Sequence, residues 1–458
     1  MHVGNVRTAL FNWLFARSKN GAFILRIEDT DLQRHVEEAI DLITEGLSWL
    51  GMDWDEGPGK NGNYGPYFQS ERSEIYRRDV KKLIEAGLAY PCDCELQKRE
   101  ADTPCPCRDR QGKQGDSMKE GIAIRFLNPG GTTSFEDIVQ GALDIDNEQF
   151  GDFVLIKSDT TPTYNFANVV DDHAMQITHI MRGDDHLSNT PRQLMLYEAL
   201  GYSPPEFAHL PQILASDGHR LSKRHGAVSL TDYRDEGFLP EALVNYLALL
   251  GWSAEGEREF FTPDELISQF SLNRVRKSAS QFDRQKLIHL NSLHMEQLPV
   301  EDQAQLALDA LCRAGILEDP ISDDTRDYMG QIMEALGSRF KYGDQILEFG
   351  AHFFTEDVTI KPELYSYLSS PDVRNAICTA QAALAEVQDW NESEIEDIVR
   401  SSASQFDLKA APLIHAIRVA LSGATVGPSL FTLVRLVGQQ RSVRRLQAAL
   451  DQVPEETT

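Results

Sequence analysis

The sequence predicts an α/β domain that is interrupted by an insertion and followed by an all-α region. Apolar residues over 6–14 recur at helical spacing, and the apolar run 22–27 that comes next is typical of a buried strand. From about residue 229 almost to the end, the apolar residues follow an amphipathic helical pattern. A length of 458 residues is large for one hydrophobic core, so we expect two to four domains.

The first region can be followed element by element. The helix over 6–14 should end near Gly21, because glycine after a periodic run is a common stop signal. After the strand at 22–27, apolar residues over 36–50 mark a second helix, which Gly51 should end. This helix–strand–helix order is typical of an α/β nucleotide-binding domain, although the strand that should feed the first helix is missing from the sequence.

A change of character marks an insertion from about residue 69 to residue 170. Polar loops and a cysteine cluster occur there together with short strand patterns at 121–126 and 153–157. The run 177–182 is then typical of a strand that returns to the sheet. A helix over 190–200 should follow this strand and end at a glycine.

The composition is that of an ordinary globular protein, with 41% hydrophobic and 25% charged residues. Neither an apolar run long enough to span a membrane nor a leader peptide is visible, so we expect a cytoplasmic protein.

The net charge of −27 argues against nonspecific binding to nucleic acid, although a local basic patch can still bind RNA. Residues 428–450 contain no acid, and charge alone leaves open whether this stretch is a solvated helix face or such a patch. Its arginines are Arg435, Arg441, Arg444 and Arg445.

Two short motifs, far apart in the chain, have the chemistry of a triphosphate site. His2-Val3-Gly4-Asn5 places an imidazole and a glycine turn at a helix N-terminus, where backbone amides and the helix dipole favour an anion. The imidazole can stabilise charge that develops at the α-phosphate. Residues 220–224, Arg-Leu-Ser-Lys-Arg, form a basic loop whose lysine can follow the departing β- and γ-phosphates. Taken alone, the first motif occurs often by chance and the second is an ordinary basic turn.

Further motifs, most of them between these two, decide the interpretation. The acidic residues of 26–31 directly follow the predicted strand, so they lie at its carboxyl end. This is the end of the strands at which α/β sheets bind ligands. Residues 162–172 and 182–187 come next in a fixed order, and 65–72 and 237–247 match the same pattern. In this order and spacing, the chain resembles glutamyl-tRNA synthetase, and the two motifs at 2–5 and 220–224 resemble the HIGH and KMSKS signatures of class I aminoacyl-tRNA synthetases.

The resemblance implies a role for each matching residue. Glu28 would accept the α-ammonium group of glutamate, and Arg182 would pair with the side-chain carboxylate as a planar bidentate fork that disfavours glutamine. Tyr164 and Asn168 would line the same pocket, with His186 beside it. The implied catalytic residues are His2, Asn5 and Lys223, and the implied ATP-binding residues are His2, Gly4, Asp184, Ser222, Lys223 and Arg224.

The resemblance also implies a Rossmann-type catalytic domain with an inserted acceptor-binding domain, followed by a helical anticodon-binding domain. We expect the catalytic domain at 1–70 and 171–228, the insertion at 71–170, a stem-contact helical domain at 229–300 and the anticodon-binding domain at 301–458. ATP with Mg²⁺ would activate L-glutamate as glutamyl-adenylate, and the glutamyl group would pass to tRNA(Glu). The sequence leaves open whether tRNA(Gln) is a second acceptor, and we expect a monomer that has no membrane partner.

The cysteine cluster consists of two Cys-x-Cys pairs, Cys92 with Cys94 and Cys105 with Cys107. Four thiolates on two tight turns can hold a structural Zn²⁺ tetrahedrally, and free thiols are the alternative. Family members that keep zinc here usually show Cys-x-Cys followed by Cys-x-His. Cys107 departs from that pattern, so the ligand set is open.

In the helical region, Arg339 falls where the family often has an arginine that reads the anticodon. The local match covers only a few residues, and a surface arginine without that role is the alternative.

Further alternatives concern the whole chain. Family members begin with a central strand before the histidine motif, and here Met1 stands where the last residue of that stretch should be. We expect either that the chain as written starts too late, or that it is a truncated, catalytically inactive tRNA-binding paralogue. An enzyme that glutamylates a modified tRNA base resembles the catalytic half but lacks the helical domain. Glutaminyl-tRNA synthetase has a β-rich C-terminal region, whereas the pattern here is helical.

Overall fold

The computed structural model describes residues 1–30, 36–94, 105–110, 119–222, 224 and 229–453. The chain divides into two compact units. The first unit comprises Met1–Thr231 and Leu243–Arg284, and the second unit comprises Asp232–Ala242 and Gln285–Thr458. Within the described ranges, none of the helices combines the length and the apolar character that crossing a bilayer would require.

The strands all lie in the first unit. In chain order they are β1 Ala89–Cys92, β2 Ala123–Phe126, β3 Thr132–Asp137, β4 Gly141–Asp146, β5 Phe153–Ile156, β6 His179–Gly183, β7 Glu206–Leu210, β8 Ile213–Leu214 and β9 Ser280–Gln281.

The helices run through the whole described chain. They are α1 Val3–Ser18, α2 Val36–Trp49, α3 Ser73–Glu85, α4 Tyr164–Ala174, α5 Thr190–Leu200, α6 Leu230–Asp235, α7 Pro240–Leu249, α8 Pro263–Gln269, α9 Arg284–Met295, α10 Val300–Arg313, α11 Asp323–Leu336, α12 Gln345–Phe349, α13 Pro371–Glu386, α14 Glu392–Ser404, α15 Ala410–Ser422, α16 Leu430–Val437 and α17 Gln439–Gln452.

The first predicted helix, α1, forms as the periodicity indicates. Its apolar face is buried at Val6, Leu10 and Leu14, and the chain leaves the helix before Asn20, which adopts a left-handed φ of 52°. Such a conformation ends a helix because it points the next residues away from the helix axis. The helices α2 and α5 are likewise present where the sequence predicts them, and Gly201 closes α5 at φ 69°.

The segment 22–27 differs from its prediction as a buried strand. It is extended but makes only isolated parallel bridges within the described chain, from Ile24 to Glu56 and from Ile27 to Phe68. Both partners lie in loop segments, so each pairing ends after a single residue and no continuous ladder forms. Before Ile27, residues 23–26 are only half-buried and Ala22 is exposed. The apolar composition predicted the extended backbone correctly but not a regular strand.

A four-stranded sheet in the order β4-β3-β7-β6 carries the site described below. The strands β6 and β7 pair in parallel over five residues, and Arg182 lies opposite His209 in this register. The antiparallel hairpin of β3 and β4 belongs to the predicted insertion, and β3 joins β7 through one parallel pair, Asp137 with Phe207. The insertion therefore contributes strands to the same sheet as β6, rather than forming only a separate domain.

A second sheet, in the order β1-β2-β5, is antiparallel and packs into an apolar core with α3, α4 and α5. Fully buried side chains at the centre of this core include Leu83, Phe166 and Leu196. Burial of such side chains contributes about 1.5–3 kcal/mol each. This core fixes the orientation of α4, which supplies Tyr164 and Asn168 to the site.

The second unit is helical, and the structure shows no strand in its described residues. Asn391 followed by Glu394 is a sequence pattern that predicts a helix start. In the structure Asn391 caps α14 by accepting a hydrogen bond from the backbone amide of Glu394. Gly427 followed by Pro428 predicts another helix start, and the helix begins slightly later, at Leu430. Ser429 is the cap there because its hydroxyl accepts from the amide of Thr432.

The C-terminal arginines are mainly tied to the protein itself, so the first of the two open alternatives, a solvated helix face, does not apply to Arg445. Its side chain is 2% exposed and donates to the backbone carbonyls of Leu421 and His352. Arg441 donates to the carbonyl of Phe353, and Arg444 pairs with Glu356. Guanidinium groups can satisfy several carbonyls at once, which explains why arginine is used to join loops and helix ends here.

Candidate functional site

A cavity of about 250 Å³ in the first unit brings the two sequence motifs together. Its walls come from the N-terminal turn of α1, the end of β6, and the chain between 210 and 221. The lining residues are His2, Gly4, Asn5, Arg7, Thr8, Arg182, Gly183, Asp185, His186, Leu210, Pro211, Gln212, Ile213, Arg220 and Leu221. The predicted residues at 2–5 and the start of 220–224 thus share one cavity with the predicted motif at 182–187.

His2 is the N-cap of α1 as well as part of the cavity wall. Its Nδ1 accepts a hydrogen bond of 3.0 Å from the amide of Gly4, which places the proton of a neutral ring on Nε2. Burial lowers the pKa of His2, and the charge of Arg220 lowers it further, while the backbone of Leu221 opposes the shift. A neutral imidazole at a helix N-terminus presents an N–H donor to an anion in the cavity.

Four residues of the basic loop, 220–222 and 224, belong to the described part of the chain. Arg220 lines the cavity and lies 3.7 Å from the carboxylate of Asp185, Ser222 is half-buried, and Arg224 is exposed. Lys223 lies outside the described residues. Asp185 rather than the predicted Asp184 is on the cavity wall.

Glu28 lies in a cluster of charged and amide side chains next to α4. Its carboxylate is 3.7 Å from the guanidinium of Arg26, and it also hydrogen-bonds to Asn168. Arg26 donates to Asp172 at 2.8 Å and to the Asn168 side-chain oxygen at 3.3 Å. Burial raises the pKa of Glu28, and the nearby carboxylates of Asp172 and Asp171 add to this rise against the opposing charge of Arg26.

Tyr164, Arg182 and His186 form the other half of the predicted glutamate pocket. The Tyr164 hydroxyl lies 3.3 Å from Nδ1 of His186 and 3.5 Å from Nη1 of Arg182. The charge of Glu28 and a hydrogen bond with Asn168 also act on Tyr164, so the two halves meet at this side chain. The structure therefore brings all five predicted glutamate-binding residues into one connected cluster.

The guanidinium of Arg182 is held more tightly than the sequence suggested. Nε donates to Nε2 of His209 at 3.2 Å, and Nη2 donates to Thr190 at 2.8 Å and to Gln193 at 2.7 Å. These bonds leave Nη1 facing Tyr164. The two parallel donors of a bidentate fork are therefore not both directed at the cavity, in contrast to the predicted geometry.

Sequence reasoning missed the buried polar network beneath Asn168. The carboxylate of Asp171 is fully buried and accepts from Arg72 at 2.6 Å, from Gln69 at 2.9 Å and from Tyr76 at 2.8 Å. Gln69 also donates to Asn168 at 3.1 Å. Gln69, Arg72 and Asp171 lie in motifs that match the family, and charged residues next to apolar runs in those motifs were the available signal. Tyr76 lies outside these motifs, so no such signal marked it.

The four clustered cysteines converge on one point. Their Sγ atoms lie within 4.8 Å of one another, with contacts of 3.5 Å between Cys92 and Cys105 and 3.2 Å between Cys94 and Cys107. Four thiolates around Zn²⁺ at about 2.3 Å would lie about 3.8 Å apart, whereas a disulfide requires about 2.05 Å. The spacing fits a tetrahedral metal site and does not fit bonded pairs.

In the second unit, exposed Arg339 lines a separate cavity of about 460 Å³. Residues of α11 and of the start of α16 form its walls. The lining residues are Gln331, Glu334, Ala335, Arg339, Ser429, Thr432 and Arg435. Donors and acceptors thus surround a space that is large enough for a planar base.

Comparison with protein families divides the chain in a similar way. A family described as "tRNA synthetases class I (E and Q), catalytic domain" matches residues 1–289. A family described as "Anticodon binding domain" matches residues 302–450.

Individual relatives match over nearly the whole chain. The glutamate–tRNA ligase of Moorella thermoacetica is 42% identical, over 98% of this chain and 95% of that protein. The glutamate–tRNA ligase of Dehalococcoides mccartyi is 41% identical, over 99% and 95% respectively. Among solved structures, a glutamate tRNA ligase from Elizabethkingia meningosepticum in complex with its amino acid superposes with a TM-score of 0.83. It is 30% identical, and the match covers 99% of this chain and 97% of that one.

Proposed function

This chain belongs to the glutamate–tRNA ligase family of class I aminoacyl-tRNA synthetases, and from that premise we propose how its residues perform the reaction. The family activity is the ATP- and Mg²⁺-dependent joining of L-glutamate to tRNA. Nothing in the comparisons supports an inactive paralogue. The helical second unit disfavours both the enzyme that modifies a tRNA base and a glutaminyl-tRNA synthetase, because the first lacks this unit and the second has a β-rich one.

The reaction has two steps. The α-carboxylate of glutamate attacks the α-phosphate of ATP, which forms glutamyl-adenylate and releases pyrophosphate. A hydroxyl of the terminal ribose of tRNA then attacks the glutamyl carbonyl, and AMP leaves. Neither step needs a protein nucleophile, so catalysis depends on holding the reactants together and on stabilising the charge that develops.

Glutamate recognition is assigned to the cluster around Tyr164. Glu28 accepts the substrate α-ammonium, Asn168 orients Glu28, and Nη1 of Arg182 donates to the side-chain carboxylate. Because Nη2 and Nε are already bonded to protein acceptors, selectivity against glutamine comes from the full positive charge of Arg182 more than from a bidentate contact. Tyr164 and His186 complete the pocket wall.

ATP recognition is assigned to the cavity at the start of α1. Gly4 allows the triphosphate to approach the helix N-terminus, and His2 donates to the α-phosphate as charge develops there. Asn5 and Arg220 also line this cavity. We also propose Ser222, Lys223 and Arg224 as phosphate ligands and Asp184 as an ATP ligand, because these residues lie in motifs that match the family.

The meeting of the two motifs in one cavity is the observation that carries this proposal, and His2 offers a test. In the His2→Asn variant, the amide oxygen can still accept from the amide of Gly4, so the helix cap is kept while the distal nitrogen is lost. We expect His2→Asn and His2→Ala to slow single-turnover glutamyl-adenylate formation similarly, by about tenfold or more. Only His2→Ala should also lower the melting temperature. Unchanged rates in His2→Asn would contradict the assignment.

We propose that the four cysteines bind structural Zn²⁺. The sulfur spacing supports this, since all four ligand atoms are already close to tetrahedral positions, and Cys107 replaces the histidine that is usual in the family. A closed site of four protein ligands stabilises the insertion and takes no part in the chemistry.

We assign tRNA binding to several parts of the chain. Residues 71–170 are proposed to contact the acceptor arm, 229–300 the stem, and 301–458 the anticodon. Arg339 is proposed to read an anticodon base in the cavity of the second unit, because its guanidinium lies beside hydroxyl and amide groups there. We propose that tRNA(Glu) is the main acceptor, with tRNA(Gln) to be tested in the same assay, and that the protein acts as a cytoplasmic monomer.

A further inference from the structure

Two buried ionisable side chains lie behind Arg182 and have no place in the reaction as described so far. The side chains of Asp137 and His209 are both 0% exposed, and neither lines the cavity that holds Arg182. His209 Nδ1 lies 2.6 Å from Asp137, and His209 Nε2 lies 3.2 Å from Nε of Arg182. The three side chains therefore form a continuous chain from the sheet interior to the pocket.

The carboxylate of Asp137 determines which nitrogen of His209 carries the proton. Asp137 accepts from the backbone amides of Val139, Gln140 and His209, and it has no proton to give. Although burial opposes it, the hydrogen bonds from His209 and from the amide of Gln140 keep the pKa of Asp137 below its ordinary value. The hydrogen of a neutral His209 must therefore be on Nδ1.

The free lone pair on Nε2 then faces Arg182. It can accept from Nε of the guanidinium at 3.2 Å and from the hydroxyl of Thr190 at 3.1 Å. The opposite tautomer would place an N–H against the N–H of Arg182, which is not a hydrogen bond. Thr190 and Gln193 hold Nη2 at the same time, so three acceptors fix the plane of the guanidinium and leave Nη1 for the pocket.

We propose that Asp137 and His209 are positioning residues that set glutamate specificity by fixing the orientation of Arg182. This inference rests on the proposed role of Arg182 in binding the substrate side-chain carboxylate. Asp137 ends β3 of the insertion, and His209 belongs to β7 of the sheet, so the pocket depends on the pairing between these two strands. A guanidinium with a fixed plane loses less freedom when substrate binds and keeps its charged Nη1 directed at the substrate side chain. The charge of Arg182 can discriminate a carboxylate from a neutral amide only while this orientation is kept.

Three substitutions test the chain of contacts. His209→Leu removes the acceptor for Arg182, whereas His209→Gln keeps an oxygen near the position of Nε2. In Asp137→Asn, the side-chain oxygen stays with the amides of Val139 and Gln140, so the NH₂ group faces His209 Nδ1 and favours the wrong tautomer. His352→Leu in the second unit is the matched control for loss of a buried histidine.

The assay is charging of tRNA(Glu) with radiolabelled glutamate, with KM for glutamate and for ATP measured separately, and with glutamine as competitor. We expect His209→Leu and Asp137→Asn to raise the glutamate KM about tenfold or more, because each variant loses or misdirects the hydrogen bond that holds the charged guanidinium in place. They should also reduce the preference for glutamate over glutamine. The ATP KM should stay within about twofold, and His209→Gln should recover most of the loss.

Some outcomes overturn this role. Folded His209→Leu and Asp137→Asn proteins with an unchanged glutamate KM would do so, as would equal losses for glutamate and ATP, or a His209→Gln variant as impaired as His209→Leu. If His209→Leu does not fold, the other two variants decide by the same criteria. Arg182→Met separates this inference from the proposed function, because an unchanged glutamate KM in that variant would remove Arg182 itself from the pocket.

Discussion

Replacing Glu28 by glutamine tests the glutamate pocket without changing its shape. The substitution keeps the size of the side chain and its bond to Asn168 but removes the negative charge that is proposed to hold the substrate α-ammonium. Glu45→Gln, an exposed position on α2, is the matched control.

The size of the effect follows from the surroundings of Glu28. A hydrogen bond to a charged group contributes about 1.5–3 kcal/mol, which corresponds to a factor of roughly 10–150 in kcat/KM. The side chain is 42% exposed, so solvent screens the interaction and the lower end applies. We therefore expect about a tenfold loss in kcat/KM for glutamate, mostly in KM, with little change in KM for ATP.

The pH dependence gives an independent check of the same residue. Because the pKa of Glu28 is raised, the carboxyl becomes protonated at a higher pH than an ordinary glutamate as the solution is acidified. The ionised form binds the ammonium, so the glutamate KM should rise as pH falls through this raised pKa. In the Glu28→Gln variant that rise should be absent. Steady-state charging over a pH series measures both effects.

The assignment of Glu28 would be refuted by either of two results. The first is a Glu28→Gln enzyme whose glutamate KM matches that of the Glu45→Gln control. The second is an acidic rise in KM that is the same in the variant as in the unsubstituted enzyme.

Three further predictions concern other parts of the chain. Purified protein should contain a single bound zinc ion, and the Cys94→Ser variant should lose this ion and melt at a lower temperature. Elemental analysis measures the metal content and calorimetry measures the melting temperature. Retention of zinc by the variant would contradict the proposed site. Arg339→Ala should raise the KM for tRNA(Glu) by about tenfold while leaving the glutamate KM unchanged, and the surface variant Arg400→Ala should do neither. Asp171→Asn should reduce the free energy of unfolding of the first unit by about 3–5 kcal/mol, because it leaves Arg72 buried without its ion pair. Urea titrations measure this loss. A loss under about 1 kcal/mol, which is typical of an exposed ion pair, would show that the network adds little to stability.

Local elements were predictable because their causes are local. The periodic apolar residues of α1 and the cap at Asn391 depend on neighbours a few positions away, and both form as expected. The convergence of the cysteines was also predictable, because two Cys-x-Cys pairs close together in the chain are a typical pattern of zinc ligands. The segment 22–27 differs because a regular strand needs a neighbouring strand along its whole length, and its composition carries no information on that.

The contacts behind the site could not be predicted in the same way. Asp137 and His209 are 72 positions apart, and their contact depends on the pairing of β3 with β7. The sequence identified Arg182 through its motif but could not show that three of its donors are already bonded inside the protein. Likewise, the charge of Arg445 was visible, whereas its burial among backbone carbonyls depends on how the helices of the second unit pack.

The most direct test of the account is charging of purified tRNA(Glu) with radiolabelled glutamate and, in parallel, with radiolabelled glutamine. The account predicts ATP-dependent attachment of glutamate and no attachment of glutamine, with pyrophosphate released as adenylate forms. Attachment of glutamine at a comparable rate, or absence of glutamate attachment by folded protein that still binds tRNA(Glu), would contradict it.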